Sequence, residues 1–323
     1  MVAMVRVALS ALAVIATLAS APARGADTEP WKDRSTALVI DAYELNIIEW
    51  DRLVTNKRVA GFISKASDGL PEVYDCRKPH RGDSANHCKT MWRKYAVSRE
   101  LYQTRRMLAK AHGMLWGAYH LARPGNPIDQ ANHFLDYAKP SEDEMMVLDL
   151  EGLDTSQFMS LDDAEAFARH IKARTGRYPV LYTNHITARH IAARREDYRL
   201  LSRLPLWYAR YRPDIRGVFP MGNWESYLLW QFSSASNCGG RSCPMRIEGT
   251  LDDIDVNTAP MTAAALATVW RQGGLVPERP PEFQHLVIAS GALGTTTLAS
   301  APAEARVRPR RPTEVTALNY QDF

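Results

Sequence analysis

Eight short apolar runs, each with a polar or aromatic residue at or next to its end, limit the possible folds of this chain more than any other feature. Such runs have the length of buried strands, and helical patterns lie between the earlier ones. Strands that alternate with helices pair in parallel through right-handed crossovers, and eight of them favour a closed barrel. The sequence therefore predicts an α/β protein with a TIM-like (β/α) barrel. The runs are residues 37–41, 61–65, 115–120, 145–150, 179–183, 206–209, 228–231 and 254–256.

Two of the connecting helices have recognisable ends. An apolar stripe after Ser98 predicts a helix that begins at this residue and is ended by Gly113. Ser160 followed by Asp163 resembles an N-cap with an acidic third position, and Gly176 is well placed as the C-cap of that helix. The connections between the later strands are shorter and more irregular.

The two ends of the chain differ from its centre. Arg6, the apolar residues 7–19 and the small residues around position 22 predict a signal peptide over residues 1–26, cleaved near Ala23 or Ala26. The apolar run is shorter than the roughly 20 residues that span a bilayer. We therefore expect a secreted or periplasmic protein without a stable membrane span; a retained N-terminal anchor is the alternative.

Residues 35–272 have the length and alternation of one α/β domain with a large core. Residues 273–323 are rich in Pro, Ala and Arg, and we expect this tail to be disordered. Its basic cluster at residues 306–311 either attracts an anionic surface weakly or is simply solvated. The net charge of +4 is too small to imply a nucleic-acid partner.

The chain contains four cysteines, which export would allow to form disulfides. Cys76 and Cys88 lie in one polar loop, and Cys238 and Cys243 flank a Gly-Gly-Arg-Ser turn. Proximity favours these two pairs among the three possible connectivities. Zinc is the alternative for the first pair, because two histidines lie nearby, but the spacing matches no zinc finger. We expect no metal.

Asp149 and Glu151 stand two positions apart at the end of the fourth run. Side chains alternate between the faces of a strand, so both carboxylates point the same way, with Cα atoms about 6–7 Å apart. Glycoside hydrolysis uses two carboxyl groups that flank the scissile bond. Two solvated acids at a strand end are the alternative interpretation.

The predicted barrel places the strand ends around one mouth, where barrel enzymes carry their chemistry. The residues there are acidic and aromatic, and they include neither a cysteine nor a glycine-rich phosphate loop. Aromatic faces stack on sugars and carboxylates transfer protons, so the set favours a neutral sugar polymer as ligand. The set is Asp41, Lys65, Tyr119, His120, Asp149, Glu151, Tyr182, Trp207, Tyr208, Trp230, Gln231 and Asp255.

Segments at these strand ends resemble glycoside hydrolase family 25, the muramidase-type lysozymes related to the Chalaropsis enzyme. The resemblance covers roughly residues 36–259 and implies a flattened barrel of five βα units followed by β-strands. It also implies a cofactor-free monomer that acts on the glycan strands of peptidoglycan. The segments, in family order, are VIDAYE, GFISKASDG, LWGAYHLARPG, VLDLEG, RTGRYPVLYTN, LPLWYARY, LLWQFSS and DIDVN.

The resemblance also implies roles for individual residues. Glu151 would be the catalytic acid that cleaves the β-1,4 bond between N-acetylmuramic acid and N-acetylglucosamine. Asp149 would be its partner, which stabilises positive charge or orients the substrate acetamide, and Asp41 and Asp255 would be further acids of the groove. The groove would be lined by Tyr119, Tyr182, Trp207, Tyr211, Trp230 and Gln231.

Some segments depart from the family pattern. The usual DVSxxQ opening is replaced by residues 41–46, which lack the glutamine, and the loop at residues 70–95 is long. The tail lacks the wall-binding repeats of many relatives. Two other functions stay open: a secreted peptidoglycan-binding protein without turnover, and a barrel glycosidase that acts on chitin-like chains.

Overall fold

The computed structural model describes residues 28–71, 84–240, 242–251 and 254–280. Within these ranges, eight strands form a closed barrel in chain order. Each strand overlaps one predicted run, so the prediction of a TIM-like α/β barrel is confirmed. The strands are β1 (Leu38–Ala42), β2 (Val59–Asp68), β3 (Leu115–Leu121), β4 (Met145–Leu150), β5 (Val180–Asn184), β6 (Leu206–Ala209), β7 (Leu229–Ser233) and β8 (Asp255–Thr258).

The last strand runs against the others. Neighbouring strands from β1 to β7 pair in parallel, whereas β8 is antiparallel to both β1 and β7. The parallel pairing expected for strands that alternate with helices therefore extends to β7 and not to β8. Strand β7 ends at the mouth, and an antiparallel strand can follow it without a crossover helix. The chain therefore enters β8 from the mouth. Asp255 thus reaches the mouth from the first position of its strand.

Helices follow each of the first five strands, and the described residues between β6 and β8 form none, which agrees with the predicted five βα units. Ser160 accepts a hydrogen bond from the backbone N–H of Asp163, and Gly176 ends the helix with φ of 76°, as predicted. The helices are α1 (Trp50–Leu53), α2 (Ser84–Ala111), α3 (Pro127–Ala138), α4 (Leu161–Thr175), α5 (His185–Ala193) and α6 (Ala263–Trp270), with 3-10 turns at Pro30–Lys32 and Leu201–Arg203.

Helix α2 is longer than the sequence predicted. It begins at Ser84, so Ser98 lies inside the helix and does not cap it. Residues 84–97 contain neither proline nor glycine, so no strong breaker ends the helix in this stretch. About half of the predicted long loop at residues 70–95 is consequently helical.

Alternation along the strands divides the core into two layers. Val39, Ile63 and Val147 pack inside the barrel, whereas their sequence neighbours pack outward among the helices. Helix α6 closes the end opposite the mouth with Trp270, whose Nε1 donates to the carbonyl of Trp116 at 2.8 Å. The interior is therefore filled at one end and open for chemistry at the other.

The first residues of the predicted tail lie along the barrel. The carbonyl of Gly273 accepts a hydrogen bond from the N–H of Tyr178, and the N–H of Val276 donates to the carbonyl of Arg203. The predicted signal peptide at residues 1–26 and tail residues 281–323 lie outside the described residues. In the described part of the chain, every helix is too short or too polar to cross a bilayer.

Gly249 provides a test of how the loop before β8 is held. Its φ is +83°, and a Cβ added there would lie 2.5 Å from the N atom of Leu53 and 2.6 Å from the carbonyl oxygen of Glu49. We expect Gly249→Ala to lower the free energy of unfolding by about 2 kcal/mol, measured by urea denaturation. Gly113→Ala is the control, because Gly113 has φ of +73° and open space. Equal losses of stability in the two variants would show that the close approach of Gly249 to Glu49 and Leu53 adds nothing to the effect of backbone strain.

Candidate active site

The barrel brings the four predicted catalytic acids to one mouth. Asp41 and Asp149 each follow an inward-facing core residue by two positions, so they share its face. Asp255 is the direct neighbour of Asp41 across the β1–β8 pair. Glu151 continues the inward alternation just beyond the end of β4. The mouth is therefore strongly acidic.

Two amides hold the buried carboxylate of Asp41. Asn257 Nδ2 donates to Asp41 Oδ2 at 2.7 Å, and Gln231 Nε2 donates to the same oxygen at 3.1 Å. Burial raises the pKa of Asp41 to about 6, although both hydrogen bonds act in the opposite direction. Near neutral pH, Asp41 is therefore mainly ionised and its negative charge has a fixed position.

Asp149 and Glu151 have different environments. Asp149 is 5 % exposed, and no described residue forms a hydrogen bond with its buried Oδ1 atom. Burial, followed by repulsion from Glu151 and Asp41, raises the pKa of Asp149 well above its usual value. Glu151 is exposed at the mouth, yet desolvation by the surrounding protein also raises its pKa. Together the two acids retain a proton to a higher pH than free carboxyl groups.

Tyrosines complete the polar side of the mouth. Gln231 Oε1 accepts hydrogen bonds from the hydroxyls of Tyr182 at 2.9 Å and Tyr211 at 2.7 Å. Burial raises the pKa of Tyr119 and of Tyr182 well above the usual tyrosine value, and the neighbouring acids raise both further. The Tyr119 hydroxyl is therefore protonated near neutral pH and can donate to a ligand, whereas the hydroxyls of Tyr182 and Tyr211, which donate to Gln231, can accept from one.

Trp207 supports this arrangement from below. Only 1 % of its surface is exposed, its Nε1 donates to Asn257 Oδ1 at 2.5 Å, and its ring contacts Tyr182 edge-on at 4.7 Å. Asn257 therefore connects Trp207 to Asp41. Asn257 was not among the site residues predicted from the sequence, although its position two residues after Asp255 places it on the same strand face.

Trp230 corrects one of the sequence predictions. Its ring is fully buried outside the barrel against Trp31, at 5.3 Å, so it does not line the mouth. The reason is alternation, because its neighbour Gln231 occupies the inward face. His120 and Tyr208, from the same predicted set, also lie in the outer layer.

An ion pair that the sequence analysis missed lies beside the acids. Arg123 donates to both carboxylate oxygens of Asp68, from Nε at 2.5 Å and from Nη2 at 2.9 Å. Gly69 makes room for it, since a Cβ there would lie 2.8 Å from Arg123 Cγ. Arg123 lowers the pKa of Glu151, whereas Asp68 and desolvation raise it. Asp68 and Arg123 both lie in segments that resemble the family, but their contact depends on the register between β2 and β3.

Cys238 and Cys243 form the predicted disulfide in the connection from β7 to β8. Cys76 and the side chain of Cys88 lie outside the described residues, so their predicted pairing stays a prediction. Among the residues that the structure describes, no group of three or more His, Cys, Asp or Glu side chains has the geometry to hold a metal ion.

Comparisons with known proteins show similarity to one family of glycosyl hydrolases. The family described as Glycosyl hydrolases family 25 matches residues 95–241. The fold is similar to that of the bacterial lysozyme from Streptomyces coelicolor, with 21% identity over 74% of this chain and 99% of that one and a TM-score of 0.49. A muramidase from Acremonium alcalophilum has 19% identity over 73% of this chain and 99% of that one, with a TM-score of 0.49. No curated protein matches the chain.

The matched region contains strands β3 to β7 and both acids of the β4 motif. Asp41 and Asp255 lie outside the match, on the strands that close the barrel. The match over residues 95–241 confirms the resemblance to glycoside hydrolase family 25 predicted from the ordered segments.

Proposed function

We propose that the protein is a lysozyme that hydrolyses the β-1,4 bond between N-acetylmuramic acid and N-acetylglucosamine in peptidoglycan. The observation that carries the proposal is the pair at the carboxyl end of β4, where Glu151 is exposed at an acidic mouth and Asp149 is buried behind it. The family match supports hydrolysis of a glycosidic bond. The polar, tyrosine-lined mouth supports a sugar substrate.

In the proposed reaction, Glu151 protonates the leaving-group oxygen of the glycosidic bond. Its accessibility suits this role, and its raised pKa keeps a fraction of the group protonated at higher pH. As the bond breaks, positive charge develops on the sugar ring, and the carboxylates of Asp41 and Asp255 stabilise it. Water then adds to the anomeric carbon, and the Glu151 carboxylate accepts the proton that this water releases.

Asp149 acts as the partner of Glu151 in this scheme. It either stabilises the developing positive charge or orients the acetamide of the substrate. Tyr119 donates a hydrogen bond to a sugar hydroxyl or acetamide oxygen. The Tyr182 and Tyr211 hydroxyls, which Gln231 positions, accept hydrogen bonds from sugar hydroxyl groups. Trp207 is too deeply buried to stack on a sugar and acts by supporting Asn257.

Incubation of the protein with purified peptidoglycan tests the proposal. New reducing ends are expected, and mass spectrometry should find muramic acid at them. Reducing-end glucosamine would contradict the bond assignment and favour an enzyme for chitin-like chains. Release of no reducing ends would indicate a wall-binding protein without turnover.

The proposed substrate lies outside the cytoplasmic membrane, so we also propose that residues 1–26 direct export. Amino-terminal sequencing of protein recovered from the producing cell should find a start just after Ala23 or Ala26. A start at Met1 in the exported fraction would contradict cleavage and favour an uncleaved anchor.

Replacement of Arg123 and replacement of Asp68 should shift the pH dependence of activity in opposite directions. Activity falls at alkaline pH when the catalytic acid loses its proton. Arg123→Gln removes a charge that lowers the pKa of Glu151, so the alkaline limb should move to higher pH. Asp68→Asn removes a charge that raises this pKa, so the limb should move to lower pH. Each shift is expected to be up to about one unit in kcat/KM profiles.

Arg169→Gln is the matched control for these variants. Arg169 forms an ion pair with Glu165 on helix α4, so its removal should leave the profile unchanged. Shifts of the same sign in the Arg123 and Asp68 variants would contradict the electrostatic role of the pair.

A further inference from the structure

A second polar space lies beside the acidic mouth. This side cavity has a volume of about 520 Å³ and is bordered by the end of β2, by helices α2 and α3, and by Arg123 after β3. Its volume is in the range of sites that bind small molecules. None of the four predicted catalytic acids lines it. Its wall includes Lys65, Asp68, Tyr95, Ser98, Arg105 and Arg123.

The side cavity borders the mouth directly. Lys65 on β2 lies directly beside Tyr119 on β3 in the strand register, and Tyr119 belongs to the mouth. Asp68 and Arg123 line the cavity and also act electrostatically on Glu151. A ligand bound at the mouth can therefore place a substituent in the side cavity without leaving the catalytic acids.

The charges of the side cavity include a buried cation. Arg105 is 3 % exposed and donates to the carbonyls of Tyr43 at 2.8 Å and Asn46 at 2.5 Å. These acceptors are neutral, and no described acid forms an ion pair with Arg105. Lys65 and Arg123, by contrast, are paired with Glu44 at 2.7 Å and with Asp68. The cavity thus offers positive charge for a carboxylate and acids for an amine.

The opposite wall is aromatic and partly apolar. Tyr95 and Tyr137 contact each other edge-to-face at 5.8 Å, and Tyr102 contacts Tyr137 in the same way at 5.5 Å. Ser98 adds a hydroxyl to the lining of the cavity. A neutral sugar needs no buried cation, whereas a short peptide presents carboxylates, amides, methyl groups and amines together.

We propose that the side cavity binds the peptide that the muramoyl residue carries on its lactyl group. This inference rests on the proposed lysozyme function and adds the peptide to what the enzyme recognises. The carboxylates of the peptide approach Arg105, its amine approaches Asp68 and Glu44, and its apolar groups pack on the tyrosines. The enzyme would then favour peptidoglycan that still carries its peptides over bare glycan strands.

Binding of two soluble probes tests the proposal without any turnover. The probes are N-acetylmuramic acid and N-acetylmuramyl-L-alanyl-D-isoglutamyl-L-lysine, measured by calorimetry on the whole protein. The peptide compound should bind about tenfold more tightly, which is the effect of one charge-assisted hydrogen bond. Equal affinity of the wild-type protein for the two probes would overturn the proposal.

Variants locate the binding in the cavity. Ser98→Trp fills the cavity from the half-buried side of α2 and should abolish the preference for the peptide compound. Val97→Trp is the matched control, because the adjacent Val97 is 61% exposed and does not line the cavity. Tyr95→Ala, at a partly exposed position, should weaken the preference without filling any space. An unchanged preference in Ser98→Trp and Tyr95→Ala would place the peptide elsewhere.

Hydrolysis separates this inference from the proposed function. Reducing-end release from peptide-free glycan strands reports the lysozyme activity alone, and Ser98→Trp should change it less than twofold. On peptide-bearing strands, the same variant should raise KM about tenfold. No release from either substrate would refute the lysozyme, whereas equal KM changes on both substrates would refute the peptide site.

Discussion

Replacement of Glu151 by glutamine should reduce kcat on purified peptidoglycan by at least about 10²-fold, the usual contribution of general acid catalysis. Glutamine keeps the size and polarity of the side chain but cannot donate the proton that the leaving group needs. Because Glu151 is exposed at the mouth, we expect the thermal midpoint and the far-UV circular dichroism to stay close to those of the wild type. KM should change much less than kcat, since Glu151 acts on the bond that breaks.

Glu142→Gln is the matched control for this experiment. Glu142 is an exposed acid in the connection before β4 and has no proposed role at the mouth. Its replacement should therefore leave kcat unchanged. A Glu151→Gln enzyme with near-normal turnover would refute the role of Glu151 as the proton donor. A loss of folding in the same variant would contradict the exposed position of the side chain.

The barrel could be predicted because its strands carry short-range signals. The β4 run at residues 145–150 and the β6 run at residues 206–209 match the observed strands at both ends. These strands are buried on both faces, so a nearly continuous apolar run marks their full length. The direction of β8 had no such signal, because its direction depends on how the chain returns to the mouth. The start of α2 was missed because Ser98 resembles a helix cap, whereas residues 84–97 contain no proline or glycine that would end the helix before it.

The site was predictable where its geometry is local. Asp149 and Glu151 share a face because of strand periodicity alone. Trp230 was misplaced because the sequence analysis assigned neighbouring residues to one mouth, although alternation allows only Gln231 to face inward. The Arg123–Asp68 pair joins residues from two strands and follows from their register. The side cavity depends on the packing of α2 and α3 on β2, which no local pattern encodes.

Replacement of Asp149 by asparagine should stabilise the protein at alkaline pH while it impairs the reaction. The folded state raises the pKa of Asp149 well above the value of about 3.9 expected for the unfolded chain. Below about pH 3.9, both states are protonated and the folded protein keeps its full stability. As the pH rises toward the folded pKa, the unfolded state releases its proton more readily, and the free energy of unfolding falls. Asparagine removes this dependence.

The expected gain at about pH 8 is several kcal/mol, the general cost of an ionisable group buried without compensation, and it should nearly vanish at about pH 4. Urea denaturation at both pH values measures it. Asp154→Asn is a control of opposite sign, because hydrogen bonds from Ser156 lower the pKa of Asp154, and its stabilising effect is lost as the pH falls. If Asp149→Asn raises the free energy of unfolding equally at both pH values, burial of the ionised Asp149 carboxylate is not what destabilises the protein. A gain confined to high pH, together with reduced turnover, would show that the fold accepts a less stable barrel to keep this acid beside Glu151.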